Sequence, residues 1–269
     1  LDRTGILVTG ATRVIFMIGT PVAQARSPFL FNRHFADRGE NRVMVPLDVS
    51  PAALPSFVSM VRDAANCDGF VATLPHKRAL LDLVDEASET ARALESVNVV
   101  HRGPDGRLVG DMTDGAGYWN GAAKSGFDPR GKSVALAGAG AAGTAIAHEF
   151  ARRGGGRLAV WSRSECEVTL LQSKLATMGI SVEAGMPTDL AGFDMAINAT
   201  PVGMAHAPGS PFSKALIATL PPTAIVADAI TEPLETELLA SAREKGLKTI
   251  DGRAMTEGQF NSLLAALEK

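Results

Sequence analysis

Gly131-Lys-Ser-Val-Ala-Leu-Ala-Gly-Ala-Gly-Ala-Ala-Gly143 is the stretch that decides the fold. A polar start leads into a short apolar run at 134–137. Gly138, Gly140 and Gly143 then follow at GxGxxG spacing. Residues 144–153 carry a helix pattern with Ile146, Ala147 and Phe150 on one face. Strand, glycine-rich turn and helix in that order is what a dinucleotide pyrophosphate needs. Gly138 allows the tight turn, Gly140 lets the backbone approach the phosphate, and Gly143 lets the helix pack on the strand with its N-terminus facing the anion. Ala139, Ala141 and Ala142 complete the same phosphate-facing backbone. The bland alternative is a glycine-rich surface turn, and the flanking strand and helix patterns argue against it.

The next strand indicates which dinucleotide. Residues 157–161 read as the second strand of the nucleotide unit and end in Ser162-Arg163-Ser164. An NAD site usually places Asp or Glu about 20 residues past the glycines, on the ribose 2′-hydroxyl. No carboxylate stands at this strand end, and Glu165 comes slightly late. Arg163 between two hydroxyls suits a 2′-phosphate, because a guanidinium meets phosphate in a bidentate, charge-assisted way. The expected cofactor is therefore NADP, with NAD the less favoured alternative. The competing reading of Arg163 is a solvated surface arginine.

Composition narrows the classes. A chain of 269 residues holds one large or two small domains. A formal charge of −3 gives no general basic field and speaks against nucleic acid. No apolar run approaches the ~20 residues of a membrane span, and residues 1–10 lack the charged-then-apolar layout of a leader. Cys67 and Cys166 fall in different expected domains without metal-ligand spacing, which fits reduced thiols in a cytoplasmic protein. His34, His76, His101, His148 and His206 are scattered, without zinc spacing. They read as surface or capping groups, so no metal is expected.

Ahead of the glycine turn, β-like and α-like patterns alternate: a buried strand at 13–19, a helix at 29–38, a strand at 41–49, a helix at 51–63 and a strand at 69–73. Such alternation argues for a parallel α/β domain. Ser27-Pro28 reads as a helix start, with Ser27 as N-cap. Ligands in such domains gather at the carboxyl ends of strands, which groups Ser27, Thr73 and Lys77 at one mouth. Ser27 is as readily a plain N-cap as a ligand. Lys77 reads as a lysine opening a helix, where the helix dipole disfavours a cation, and that hints at another reason for it. Ser88 is a plausible N-cap of a short helix to Leu94. Residues 97–100 and 108–109 form a hairpin about a turn at 102–107. Asp114 opens a helix through Tyr118 and Trp119, either as a first-turn acid or as something more. Beyond the nucleotide start, strands are expected at 193–199, 224–228 and 248–251, with a helix at 235–245. A last amphipathic helix is expected at 256–269, with Phe260, Leu263, Leu264 and Leu267 in register.

Taken together, these pieces resemble the shikimate dehydrogenase family, and most closely its divergent shikimate-dehydrogenase-like branch. The matching residues run through nearly the whole chain: Ile18-Gly19, Ser27-Pro28, Asn32, Thr73-x-Pro75-His76-Lys77, Val97-Asn98, and Gly110-x-x-Thr113-Asp114-Gly115-x-Gly117. They continue with the glycine turn, Ser162-Arg163-Ser164, Asn198-Ala-Thr200-x-x-Gly203-Met204, Pro233-x-x-Thr236, and Asp251-Gly252-x-x-Met255-x-x-x-Gln259. The resemblance implies that Lys77 and Asp114 form the catalytic pair. It implies that Thr73, Asn98 and Gln259 bind ring hydroxyls and that Ser27 belongs to a carboxylate site. Gly138, Gly140, Gly143, Arg163 and Ser164, with Ser162 and Thr200 beside them, become the NADP site, and Met204 and Met255 lie near the nicotinamide. The implied reaction is hydride transfer between NADP(H) and a ring alcohol of shikimate or a close analogue. Quinate, aminoshikimate or a non-catalytic NADP-binding sensor are the alternatives. Four positions depart from the family pattern: Ala25, Val71, Met112 and Thr231 stand where it has Ser, Asn, Asn and Tyr. Each loses a polar group from the expected substrate mouth, and losing a hydroxyl's partner weakens discrimination. Arg26 is a candidate replacement for the missing serine.

The expected architecture is α/β in two domains. A parallel-sheet substrate domain covers residues 1–113 and is completed by the C-terminal helix at 250–269. A Rossmann-type doubly wound NADP domain covers 114–249, with a hinge that closes a cleft on a small alicyclic hydroxy acid. The expected oligomeric state is a monomer or a homodimer.

Overall fold

The structure is a computed structural model and describes residues 7–268. The chain start, read above for a leader layout, and Lys269, the expected end of the last helix, lie outside them. Two compact units divide the chain. The first holds the chain up to Thr113 and again from Phe260; the second is Asp114–Gln259.

The first unit begins with β1 (Arg13–Gly19), α1 (Ser27–Arg38), β2 (Arg42–Asp48), α2 (Leu54–Asp63) and β3 (Cys67–Ala72). β2, β1 and β3 pair in parallel. Alternation along β1 explains its two coats. Ile15 and Met17 meet Phe31 and Phe35 of α1 in one core, while Phe16 and Phe70 pack edge-on against Phe57 of α2. Pro46 is tolerated because β2 is an edge strand. Asn32 of α1 reaches back to this strand: its Nδ2 donates to Met44 O at 2.9 Å, and its Oδ1 accepts from Met44 N at 2.7 Å.

The hairpin β5 (Val99–Arg102) and β6 (Leu108–Asp111) then adds antiparallel strands. A two-residue strand, β4 (Glu86–Ala87), pairs with β6, followed by α3 (Glu89–Leu94). The order is β2-β1-β3-β5-β6-β4, so the sheet is parallel on one side and mixed on the other.

Three local expectations change. Arg26, not Ser27, occupies the N-cap of α1 and makes no side-chain cap bond. Ser27 is the first helical residue beside Pro28. Lys77 opens no α-helix; it lies in a turn ahead of a short 3-10 segment, Ala79–Asp82. His76 is no surface group. It is 1% exposed, and burial is tolerated because its Nε2 meets Val49 O at 2.8 Å.

The second unit comprises α4 (Asp114–Lys124), β7 (Ser133–Ala137), α5 (Ala141–Arg152), β8 (Arg157–Trp161), α6 (Glu165–Ala176), β9 (Val182–Ala184), β10 (Met195–Asn198), α7 (Lys214–Ile217), β11 (Ile225–Asp228), α8 (Glu237–Glu244) and β12 (Lys248–Ile250). All six strands pair in parallel in the order β12-β11-β10-β7-β8-β9. This is the doubly wound arrangement, whose direction reverses between β7 and β10, where ligands bind. The last helix, α9 (Gly252–Leu267), starts earlier than its periodicity announces. Ala254 and Met255 pack on the second unit's core, while Phe260, Leu263 and Leu267 pack on the first unit's core. Within the second unit α4 and α9 touch backbone to backbone, since a Cβ on Gly258 would lie 2.2 Å from Gly117 O. No helix among the described residues is long and apolar enough to cross a membrane.

Candidate functional site

In the second unit the loops after β7, β8 and β10 line one cavity of about 330 Å³. Gly138, Ala139 and Gly140 form one wall, Trp161 to Ser164 with Glu167 another, and Ala199 to Val202 a third. Gly138 adopts φ 104°, and its N donates to Trp161 O at 2.6 Å, so the chain turns at the end of β7 where a side chain would be strained. Gly143 is needed for packing: a Cβ there would stand 2.0 Å from Gly138 O. Gly140 differs from both. Its φ is −69° and a Cβ built on it would meet nothing within 4 Å. Nothing in the chain itself demands glycine at 140, and the space in front of its backbone is open. Ala141, Ala142 and Gly143 form the first turn of α5, whose unpaired N–H groups suit an anion.

The third wall is rigid for a reason the motif alone does not show. Asn198 Oδ1 accepts from Thr200 N at 2.9 Å and from Thr200 Oγ1 at 2.7 Å. Its Nδ2 donates to Val202 O at 2.9 Å and to both carboxylate oxygens of Asp228 at 3.1 and 3.2 Å. Thr236 Oγ1 donates to Asp228 as well, at 2.8 Å. Burial pushes the Asp228 carboxyl up to about 6, and these bonds only partly hold it down. Met204 lies in the same loop, its N donating to Pro201 O, and Met255 sits on α9; neither lines the cavity. Of the residues read for the cofactor, Gly138, Ala139, Gly140, Ser162, Arg163, Ser164 and Thr200 are brought together here.

Asp114, 2% exposed, is the first residue of α4, and Gln259 Nε2 donates to its Oδ1 at 2.7 Å. Beside the ligand role that the resemblance implies for Gln259, the structure makes it the holder of Asp114.

In the first unit Thr73 and Asn98 stand at one end of the sheet. Ala72 N donates to Asn98 O at 2.8 Å, and Thr73 N donates to Ile18 O at 2.8 Å. Ser27 opens α1, on the connection that follows β1. Lys77 is fixed beside Asn98 through its carbonyl, which accepts from Val97 N at 2.8 Å. The Asn98 side chain is buried and engaged with Thr113: Oδ1 accepts from Thr113 N at 2.9 Å, and Nδ2 donates to Thr113 Oγ1 at 3.1 Å. Thr113 has no role of its own in the sequence motif, and the structure makes it the partner of Asn98. Two of the four departures, Val71 and Met112, are core residues at 4% exposure, and Val71 packs with Met17 and Val99.

Comparison with known proteins identifies the family. A model of the shikimate dehydrogenase substrate binding domain matches residues 17–100. A shikimate dehydrogenase (NADP(+)) of Rubrobacter xylanophilus is 36% identical over 253 residues, which is 92% of this chain and 88% of that protein. The chain belongs to the shikimate dehydrogenase family. Among solved structures, the shikimate 5-dehydrogenase of Listeria monocytogenes in complex with shikimate and NAD superposes with a TM-score of 0.87 at 29% identity, covering 97% of this chain and 93% of that one. The quinate dehydrogenase of Corynebacterium glutamicum in complex with NAD gives 0.84 at 27%, covering 95% and 93%.

Proposed function

We propose that this family member is an NADP-dependent oxidoreductase that interconverts a ring alcohol and ketone of shikimate or a close analogue. The observation that carries the reading is the open cradle at Gly140 in a cavity that also holds Arg163 and the hydroxyls of Ser162, Ser164 and Thr200. Those residues fit a dinucleotide: backbone at 138–143 for the pyrophosphate, and Arg163 with its two serines for a 2′-phosphate. Met204 and Met255 are assigned to the nicotinamide end. Bound NADP supplies the hydride acceptor or donor.

The protein must then move one proton at the carbinol oxygen. Lys77 Nζ donates it in reduction and takes it back in oxidation. Asp114 is the carboxylate that orients this exchange, itself held by Gln259 Nε2. Ser27, Thr73, Asn98 and Gln259 are assigned to the acid's carboxylate and hydroxyls. With Val71 and Met112 in the core, fewer polar groups enforce one hydroxyl pattern, and that observation keeps quinate as the second substrate reading.

Steady-state absorbance of reduced nicotinamide, with NADP and NAD each against shikimate and quinate, tests the proposal. Turnover with NADP and shikimate is expected. Silence with both acids while NADP binds would replace the enzyme reading with that of a sensor.

A further inference from the structure

We propose that Glu167 sets the dinucleotide preference, opposing Arg163 at the ribose 2′ position so that the cavity takes NAD as well as NADP. This rests on the dinucleotide reading of the cavity. Arg163 and Glu167 line the same 330 Å³ space, together with Ser162 and Ser164. Arg163 is exposed and forms no ion pair among the described residues, whereas Glu167 is half-buried. Ser162 Oγ, at the end of β8 where the ribose is expected, lies 3.4 Å from Glu167 Oε2. A carboxylate placed there accepts a hydrogen bond from a 2′-hydroxyl. Against a 2′-phosphate it sets like charge on like charge. The more exposed guanidinium is the more strongly screened of the two, so Arg163 does not simply cancel its neighbour.

Glu167 also has a structural duty. Ser164-x-x-Glu167 has capping-box spacing, and Ser164 Oγ accepts from Glu167 N at 3.4 Å. In a closed box the carboxylate returns to the cap's own N–H. Here Ser164 N donates to Ser162 Oγ at 3.3 Å, which ties the carboxylate, both serines and the end of β8 into one cluster.

Glu167→Gln separates the duties, because glutamine serves a capping box as glutamate does but carries no charge. The measurement is calorimetric titration of wild type, Glu167→Gln and Arg163→Ala with NADP, NAD and the fragments 2′,5′-ADP and 5′-AMP. Wild type should bind NADP and NAD within about tenfold of each other, and Glu167→Gln should raise the NADP-to-NAD affinity ratio by about tenfold or more. Arg163→Ala should lower the ratio, and the two fragments should follow their parent dinucleotides. A ratio unmoved by Glu167→Gln, or a parallel loss of both cofactors, would overturn this inference and leave only the cap. Failure of wild type to bind any of the four would overturn the dinucleotide reading, and this proposal with it.

Discussion

Both units carry a six-stranded sheet, yet they present their chemistry in different ways. In the second unit the strands are all parallel. The mouth is mostly main chain: a glycine turn after β7, the first turn of α5, and a loop after β10 pinned by Asn198. In the first unit antiparallel strands join the sheet, and the polar groups at its end are side chains from distant segments, anchored one by one. Asn98, for one, holds Thr113 across 15 residues of sequence. A backbone site is encoded by spacing. A side-chain site is encoded by residue identity at places that spacing does not connect.

The largest effect should come from the side-chain unit. Lys77→Ala should cut turnover by about 10²–10⁴ while NADP affinity stays near wild type; near-normal turnover would remove Lys77 from its role. Next come two glycines of the backbone site, expected to fail differently. Gly143→Ala drives a Cβ into the Gly138 carbonyl and should lower stability by about 1–3 kcal/mol or more. Gly140→Ala meets no protein atom, so the melting temperature should hold while dinucleotide binding weakens by about tenfold or more. If the two variants behave alike, the cradle reading breaks.

Asn98→Ala leaves the Thr113 N–H without its side-chain acceptor and should cost about 1–3 kcal/mol in denaturant unfolding. NADP binding to the second unit should not follow it. The smallest effect is a pH slope. Burial raises Asp228 from 3.8 to about 6, so across that window the folded state keeps a proton that the unfolded chain releases. This group therefore makes stability fall as pH rises through the window. Melting curves of Asp228→Asn should lack that fall, so the variant gains on wild type from acid pH towards about 6.

The β7–α5–β8 unit is legible in the sequence because everything it needs is local: an apolar run, three glycines, a helix face. The strand β1 is legible for the same reason. What escaped reading was non-local or weakly patterned. β4 has two residues and exists only because β6 lies beside it. α6 and β9 had no assigned element, and α6 is marked mainly by its cap at Ser164. The α9 start at Gly252 is hidden in the sequence because glycine is a poor helix former. Glycine is required there by a close approach, since a Cβ would lie 2.1 Å from Ile230 O. Glu167 gives no signal of its own in the sequence, because a carboxylate at the third helical position already has an ordinary explanation. Asp228 was seen only as a strand residue, and its bonds to Asn198 and Thr236 bridge 30 and 8 residues of sequence.

The Asn32 amide has a bearing on how copies of this chain meet. β2 is the outer strand, and outer strands are templates on which another chain can extend a sheet. At Met44 that template is already occupied: its N–H and C=O are both satisfied by Asn32. Nearby, Arg42 is tied to Asp68, Glu40 and Glu268, which adds charge to the same border. A newcomer strand would have to evict an intramolecular amide before pairing at Met44. Self-association through this border is thus disfavoured by the same residue that ties α1 to its sheet.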